Sequence, residues 1–336
     1  MNIHQSNARR SRVCGAVFLL MIAVSTTTAQ LKPTKPVSER PDPGAVIKAS
    51  DGPIVVNSDL VTMTVSVTDA RGQPVLGLDK QDFQISDNKV AQDIAFFSDE
   101  DIPASVAIVF DVSGSMSGQS IARAKEALSS FVQTSHRDDE YFLIGFNSRP
   151  QLLLGHTRDG DAIVRKLTYV EPLGQTALYD ATYLAIAQLA RGTRAKRVVL
   201  IISDGQDNNS RYSFGELRCS LSESDVLIYA IGFNNGGATE RANVYGRLLL
   251  DELASVSGGK AFFPANSAQM NEDFERIAVE LRHQYSIGYR PANFVVDGKW
   301  HRLKIKVLPT PASRRVFVRG REGYYATGTS FRQPRD

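Results

Sequence analysis

Three short segments of the 336-residue sequence carry side chains that end in oxygen at positions where a fold could bring them together. The first, DVSGSMS, contains Asp111, Ser113 and Ser115. The second, LGQTALYD, contains Thr176, and the third, SDG, contains Asp204. Carboxylate and hydroxyl oxygens are the ligands that hard cations such as Mg²⁺ prefer in proteins. The three segments therefore predict a divalent-cation site, provided that the fold brings them together.

The spacing within the first segment favours a shared site. Alternate side chains of an extended segment point to the same side, so we expect Asp111, Ser113 and Ser115 to face one way. Gly114 permits the backbone to bend there. The alternative is a cluster that caps a helix, since Ser and Asp favour that position and Thr176 also precedes a predicted helix. A cap explains one or two hydroxyls, but not three segments that each offer oxygens.

The elements that must position these side chains alternate along residues 101–283. Continuous apolar runs such as 105–110 are typical of strands that are covered on both faces. Strands are predicted at 105–110, 141–146, 151–154, 198–202 and 226–231, and helices at 121–132, 178–189, 248–256 and 270–281. This alternation predicts an α/β fold with a doubly wound, mostly parallel sheet. Ligands bind beyond the carboxyl ends of such strands, which is where Asp111 and Asp204 stand.

The regions on either side have the period-two pattern of β-structure. Strands are predicted at 60–68, 83–88 and 91–97, and again at 284–289, 301–307 and 315–318. Three strands are too few to be stable alone. We therefore hypothesise that the early and late strands pair into one small β-sandwich, with the α/β domain inserted between them.

The N-terminal 29 residues are typical of a secretory signal, with three arginines before a short apolar run at 13–24. The alternative is an uncleaved N-terminal anchor. Removing the three arginines leaves 36 basic residues against 36 acidic ones, so the mature chain is near neutral. No basic run or interleaved aromatic stripe remains that would favour nucleic acid. We expect an exported protein that is periplasmic, on the cell surface or extracellular, without an integral membrane span after signal cleavage.

These patterns divide the chain into six regions. They are a signal peptide at 1–29, a Pro-rich linker at 30–57, strands of an Ig-like sandwich at 58–100, the α/β domain at 101–283, strands that complete the sandwich at 284–326, and a tail at 327–336.

Enzymatic alternatives lack their motifs. The five histidines show no zinc-binding spacing, Ser113 and Ser115 lie in SGS rather than G-x-S-x-G, and Asp111 lacks the second aspartate of a D-x-D pair. We expect no catalytic or organic-cofactor-binding residues. Cys219 is expected to be a small buried residue in a helix, and Asp207 a solvated loop charge.

The three oxygen-bearing segments together resemble a known family. DVSGSMS resembles the metal-ion-dependent adhesion site, D-x-S-x-S, of von Willebrand factor A domains. GQTALYDA is similar to the threonine loop of that family, and SDGQDN to its second aspartate loop. The resemblance implies that Ser113, Ser115 and Thr176 ligate the metal directly or through water. It implies that Asp111 and Asp204 act largely through water, and that a carboxylate of the partner completes the coordination sphere.

The flanking strands more loosely resemble those of exported bacterial proteins with such a domain, a type frequent in Acidobacteria. The expected function is divalent-cation-dependent binding or adhesion, through Mg²⁺ with Mn²⁺ or Ca²⁺ as alternatives, to a protein or surface ligand that presents an Asp or Glu carboxylate. The alternative is a structural or assembly protein whose metal only stabilises the fold and which binds through the β-sandwich. The oligomeric state is left open.

Overall fold

Strands and helices follow one another through the parts of the chain that the computed structural model describes, which are residues 60–116, 119–233, 238–291, 297–308 and 315–326. The strands are β1 (Val61–Thr68), β2 (Phe83–Asp87), β3 (Val90–Gln92), β4 (Ile94–Ser98), β5 (Ala104–Asp111), β6 (Glu140–Phe146), β7 (Pro150–Thr157), β8 (Lys196–Ser203), β9 (Val226–Gly232), β10 (Lys260–Phe262), β11 (Tyr285–Tyr289), β12 (Trp300–Val307), β13 (Phe317–Arg319) and β14 (Gly323–Tyr325). The helices are α1 (Gln119–Thr134), α2 (Gly160–Thr168), α3 (Leu178–Leu189), α4 (Phe214–Glu223), α5 (Glu240–Ser257) and α6 (Ser267–Arg282).

The central sheet has six strands in the order β10-β9-β8-β5-β6-β7. The first five run parallel, and β7 returns antiparallel to β6. Every residue of β5, β6 and β9 is buried, which explains why their sequences are continuous apolar runs rather than alternating ones. Parallel strands place their carboxyl ends at one edge, so β5 and β8 both lead into that edge.

Helices cover both faces of this sheet. The apolar side chains of α1, α2 and α6 pack on one face around Phe131 and Phe274. The apolar side chains of α3, α4 and α5 pack on the other face around Leu217 and Leu250. This arrangement is a doubly wound α/β fold, as the strand and helix pattern predicts.

Two four-stranded antiparallel sheets form the β-sandwich, in the orders β13-β1-β11-β4 and β14-β12-β2-β3. Their inner faces share one apolar core, to which Val65 and Ile287 contribute from the first sheet and Ile85 and Leu303 from the second. Each sheet combines strands from before and after the α/β domain. The fold class predicted from the sequence, an α/β domain flanked by strands of a small sandwich, is therefore confirmed.

Several details differ from the sequence prediction. The strand predicted at 91–97 is two strands, since the chain passes at Asp93 from β3 in one sheet to β4 in the other. The sequence patterns do not predict α2, β10 or β14, and they give no bounds for the helix expected at Cys219, which is α4. The prediction for Cys219 is wrong, because this residue of α4 is exposed. Leu217 and Leu221 form the buried face of α4, and a residue two positions from each lies on the opposite side of the helix.

The predicted signal peptide, linker and C-terminal tail lie outside the described residues. Within the described ranges, no helix combines the length and the apolar composition that crossing a membrane requires.

A fragment of residues 58–100 is expected to be unfolded by itself. In the chain, β1 pairs with β11 and β13, and β2 pairs with β12, so the fragment loses most of its strand partners. Circular dichroism during heating should show no cooperative transition for the fragment, while the chain 58–326 should give one. A cooperative transition from the fragment would mean that the early strands form a domain without the late ones.

Candidate metal centre

Asp111 is the last residue of β5, and its side chain is fully buried. Its carboxylate accepts hydrogen bonds from the backbone N–H of Ser113 at 2.9 Å and from the hydroxyl of Ser203 at 2.6 Å. Burial raises the pKa of Asp111 to about 6, and the charge of Asp204 adds to that rise while the hydrogen bonds oppose it. Both groups that hydrogen-bond Asp111 are neutral, and the neighbouring acid is Asp204. This edge of the sheet therefore carries a buried carboxylate beside a second acid.

Asp204 follows β8 and is also buried. One carboxylate oxygen accepts from the backbone N–H of Gln206 at 3.0 Å, and the other accepts from the side-chain amide of Gln206 at 3.3 Å. Gly205 turns the chain in the left-handed region at a φ of +77°, and a Cβ on Gly246 of α5 would lie 2.2 Å from the carbonyl oxygen of Asp204. A glycine at each position is therefore required for α5 to pack against this loop, which fixes the backbone around Asp204.

Ser113 and Ser115 lie in the short turn after β5, and their hydroxyl oxygens are 2.9 Å apart. Two backbone hydrogen bonds join this turn to the segment before Thr176: Gly114 N–H donates to Gly174 at 3.1 Å, and Leu173 N–H donates to Val112 at 2.9 Å. The two segments are therefore held side by side.

Thr176, in the second of these segments, is buried. Its N–H donates to the side chain of Asn208 at 2.9 Å, and its carbonyl accepts from the N–H groups of Asn208 and Asn209, both at 3.0 Å. The residue that precedes the first turn of α3 is Ala177, and no side chain caps that turn from this position. The hydroxyl of Thr176 is therefore not the helix cap considered as an alternative.

The loop after Asp204 folds back onto α3. Asp207 accepts from the N–H of Tyr179 at 3.0 Å and from the hydroxyl of Ser210 at 2.6 Å, so the loop charge expected there is half-buried and hydrogen-bonded rather than fully solvated. Asp180 accepts from the N–H groups of Arg211 and Tyr212 at 2.9 and 3.1 Å. Acidic groups near the N-terminus of a helix also stabilise its dipole.

The structure thus brings the three segments together at the carboxyl edge of the central sheet. Asp111, Ser113 and Ser115 are joined by hydrogen bonds, Asp204 interacts with Asp111 through its charge, and the segment that carries Thr176 contacts both neighbours. Two further residues support these segments and are not marked by the sequence patterns described above. These are Ser203, whose hydroxyl position at the end of β8 is a recognisable signal, and Asn208, for which the sequence offers none.

The donor set fits a hard cation. It consists of two buried carboxylates and three hydroxyl groups, and these are the oxygen donors that Mg²⁺ and Ca²⁺ take. Among the described residues there is no cluster of three or more His, Cys, Asp or Glu side chains that could hold a metal. The candidate centre is of another kind, because most of its donors are hydroxyls.

Comparison with known proteins finds a family match for part of the α/β domain. Residues 106–206 match the profile of the von Willebrand factor type A domain. An uncharacterised protein of Synechocystis sp. is 23% identical over 207 residues, which cover 59% of this chain and 46% of that protein. Human inter-alpha-trypsin inhibitor heavy chain H4 is 25% identical over 169 residues, which cover 42% of this chain and 18% of that protein. The chain thus spans less than half the length of these curated relatives.

Among solved structures, a von Willebrand factor type A protein from Catenulispora acidiphila aligns with a TM-score of 0.46 at 13% identity, over 76% of this chain and 72% of that one.

Proposed function

Because residues 106–206 match the von Willebrand factor type A domain, we propose that the chain is a divalent-cation-dependent binding module for an acidic group on a protein or surface ligand. The domain itself supports a role in protein interaction. The cation and the acidic ligand are the finer parts of the proposal.

One observation carries the proposal. Asp111 and Asp204 are both buried; burial raises the pKa of Asp111, the charge of Asp204 adds to that rise, and neutral hydroxyl and N–H groups hydrogen-bond Asp111. Burying charge is costly unless an opposite charge compensates it. A bound cation would supply that compensation at the edge of the sheet where α/β proteins bind ligands.

The donor set also indicates which ligand the cation would accept. Ser113, Ser115 and Thr176 would offer hydroxyl oxygens, and Asp111 and Asp204 would act largely through water. A cation with few directly bound carboxylates keeps most of its positive charge and gains from an external carboxylate. An EF-hand, by contrast, saturates its ion with its own oxygens.

The proposal is one of binding without catalysis, by a protein that acts outside the cytoplasm. Mg²⁺ is the cation we propose, since three hydroxyls and water suit a small octahedral ion, and Mn²⁺ and Ca²⁺ are alternatives.

Crosslinking and pull-down from native extract test the proposal. The wild-type chain should capture its partner in Mg²⁺ and release it in EDTA, while the Asp111→Ala variant should capture none in either buffer. The matched control is Asp161→Ala, which removes an equal charge from an exposed position in the first turn of α2. This control should behave as wild type.

The alternative role of the metal gives a different result. If the cation only stabilises the fold, the partner stays bound in EDTA at a temperature where the protein remains folded, and Asp111→Ala captures it as well. That outcome would overturn the metal-bridge proposal.

A further inference from the structure

The outward face of β12 carries a row of cations outside the candidate metal centre. Arg302, Lys304 and Lys306 are exposed, as is Trp300 at the start of the same strand. The alternate residues point inward, and Leu303 among them belongs to the sandwich core. Strand alternation therefore places three positive charges and one indole on one face. We call Trp300, Arg302, Lys304 and Lys306 the β12 row.

The neighbours of the β12 row leave its charge uncompensated. The residues directly paired with its three cations are Gly323 on β14 and Ser86 and Gln84 on β2, none of which is acidic. Within the described part of the chain, no carboxylate oxygen lies within 4.0 Å of these cations.

Acids in the neighbouring segments do not reach the row, as Asp297 and Glu322 show. Asp297 pairs with Lys299 at 3.1 Å, and Glu322 contacts β12 through its carbonyl, which accepts from Leu303 N–H at 2.8 Å. The face therefore has a net positive charge that is available to pair with an anionic ligand.

The geometry of the row suits an extended ligand. Residues two apart on a strand are about 6.8 Å apart, so the three cations span roughly 14 Å in a straight line. At one end, Trp300 packs edge-on against Tyr325 with ring centroids 5.1 Å apart. A flat row of charges ending in an aromatic pair matches a linear polyanion better than a compact anion, which needs converging donors.

We propose that the β12 row is a second binding surface, which takes a linear anionic polysaccharide. Carboxylate or sulfate groups of the polymer would pair with Arg302, Lys304 and Lys306, and the apolar face of a sugar ring would contact Trp300. Single-stranded nucleic acid fits less well, because proteins that bind it provide successive aromatic platforms along the chain of phosphates. Here the aromatic residues lie only at one end.

Binding to immobilised heparin and alginate tests the proposal, with full-length protein and neutral dextran as the negative surface. The triple variant Arg302→Gln/Lys304→Gln/Lys306→Gln should bind both polyanions at least about tenfold more weakly than wild type, with a shallower salt dependence. Trp300→Ala should bind alginate several-fold more weakly. Wild-type binding should persist in EDTA and in Asp111→Ala, which separates this surface from the metal centre.

The matched control is Arg158→Gln/Lys166→Gln/Arg191→Gln, which removes the same charge from exposed positions on the α/β domain. It should bind within about twofold of wild type, and thermal melting should show that both triple variants remain folded. If both triple variants lost the same affinity for the polyanions, net charge alone would explain the binding. That result would overturn the proposal. Tighter binding of a thymidine 20-mer than of either polysaccharide, lost in the β12 variant, would overturn it in favour of nucleic acid.

Discussion

Mg²⁺ titrated into the wild-type chain is expected to bind at one site, and Asp111→Ala is expected to weaken that binding about 10–100-fold, the range typical of groups that orient a metal centre. Asp111 accepts hydrogen bonds from Ser113 and Ser203, so its loss removes both a negative charge and the support of the turn that carries two hydroxyl donors. Isothermal titration calorimetry measures the affinity directly, without knowledge of the partner.

A second variant tests whether the hydroxyl of Thr176 itself contributes to metal binding, apart from the packing of its side chain. Thr176→Val keeps the shape of a buried side chain and removes its hydroxyl, and we expect Mg²⁺ affinity to fall about tenfold. The matched control is Thr182→Val, because Thr182 is equally buried and its hydroxyl donates to the Leu178 carbonyl at 2.9 Å, within α3. The control should lose some stability and keep its Mg²⁺ affinity.

The results would be read together with the capture experiment. No detectable Mg²⁺, Mn²⁺ or Ca²⁺ binding by folded wild-type protein would contradict the metal centre itself. Normal metal binding with cation-independent capture would retain the centre and contradict only its role as a bridge to the partner. Equal losses in Thr176→Val and Thr182→Val would indicate a general effect of removing a hydroxyl.

The sequence predicts the framework of the candidate centre because its signals are local. Asp111 and Asp204 each follow a continuous apolar run, and a parallel sheet places the ends of such strands together. The loop that follows Asp204 carries weaker signals. Asp207 reaches the first turn of α3 only because the chain turns at Gly205 in the left-handed region, and that path depends on packing against α5.

The start of helix α4 and the β12 row each have a recognisable signal in the sequence. Helix α4 begins with a capping box in which Ser213 and Glu216 bond reciprocally, a pattern visible as S-x-x-E in the sequence. The cations of the β12 row are concealed in the string WHRLKIKV, where apolar residues separate the basic ones. Only the period of two along a strand shows that the basic residues share a face.

An ion pair between the buried Glu280 and the partly exposed Arg319 joins the α/β domain to the sandwich. Glu280 in the last turn of α6 accepts from Arg319 of β13 at 2.6 Å and from the hydroxyl of Tyr229 on β9. Arg319 also donates to the carbonyl of Gly259 at 3.2 Å, and Gln284 bridges Tyr229 to Ser66 of β1 with hydrogen bonds of 3.0 Å. The ion pair and these hydrogen bonds therefore connect α6 and β9 of the α/β domain to β13 and β1 of the sandwich.

Glu280→Gln is expected to lower the free energy of unfolding by about 2 kcal/mol, since it removes the carboxylate that compensates the partly buried Arg319. Its side chain is 7% exposed and that of Arg319 is 21% exposed. The matched control is Glu272→Gln on the same helix, where the pair with Arg276 is 60% and 42% exposed and the expected loss is below about 1 kcal/mol. Urea unfolding measures both values, and equal losses would contradict a special role for the pair of Glu280 with Arg319.

The same titration shows whether the junction couples the two domains. The single tryptophan, Trp300, lies in the sandwich, so its fluorescence follows that part, whereas far-ultraviolet circular dichroism follows the whole chain. Coincident transitions in the wild type would indicate one cooperative unit. If Glu280 carries the coupling, Glu280→Gln separates the two transitions, with fluorescence changing first because the sandwich has the smaller core. Coincident transitions in the variant would show that the strand pairing around the junction couples the domains without the ion pair.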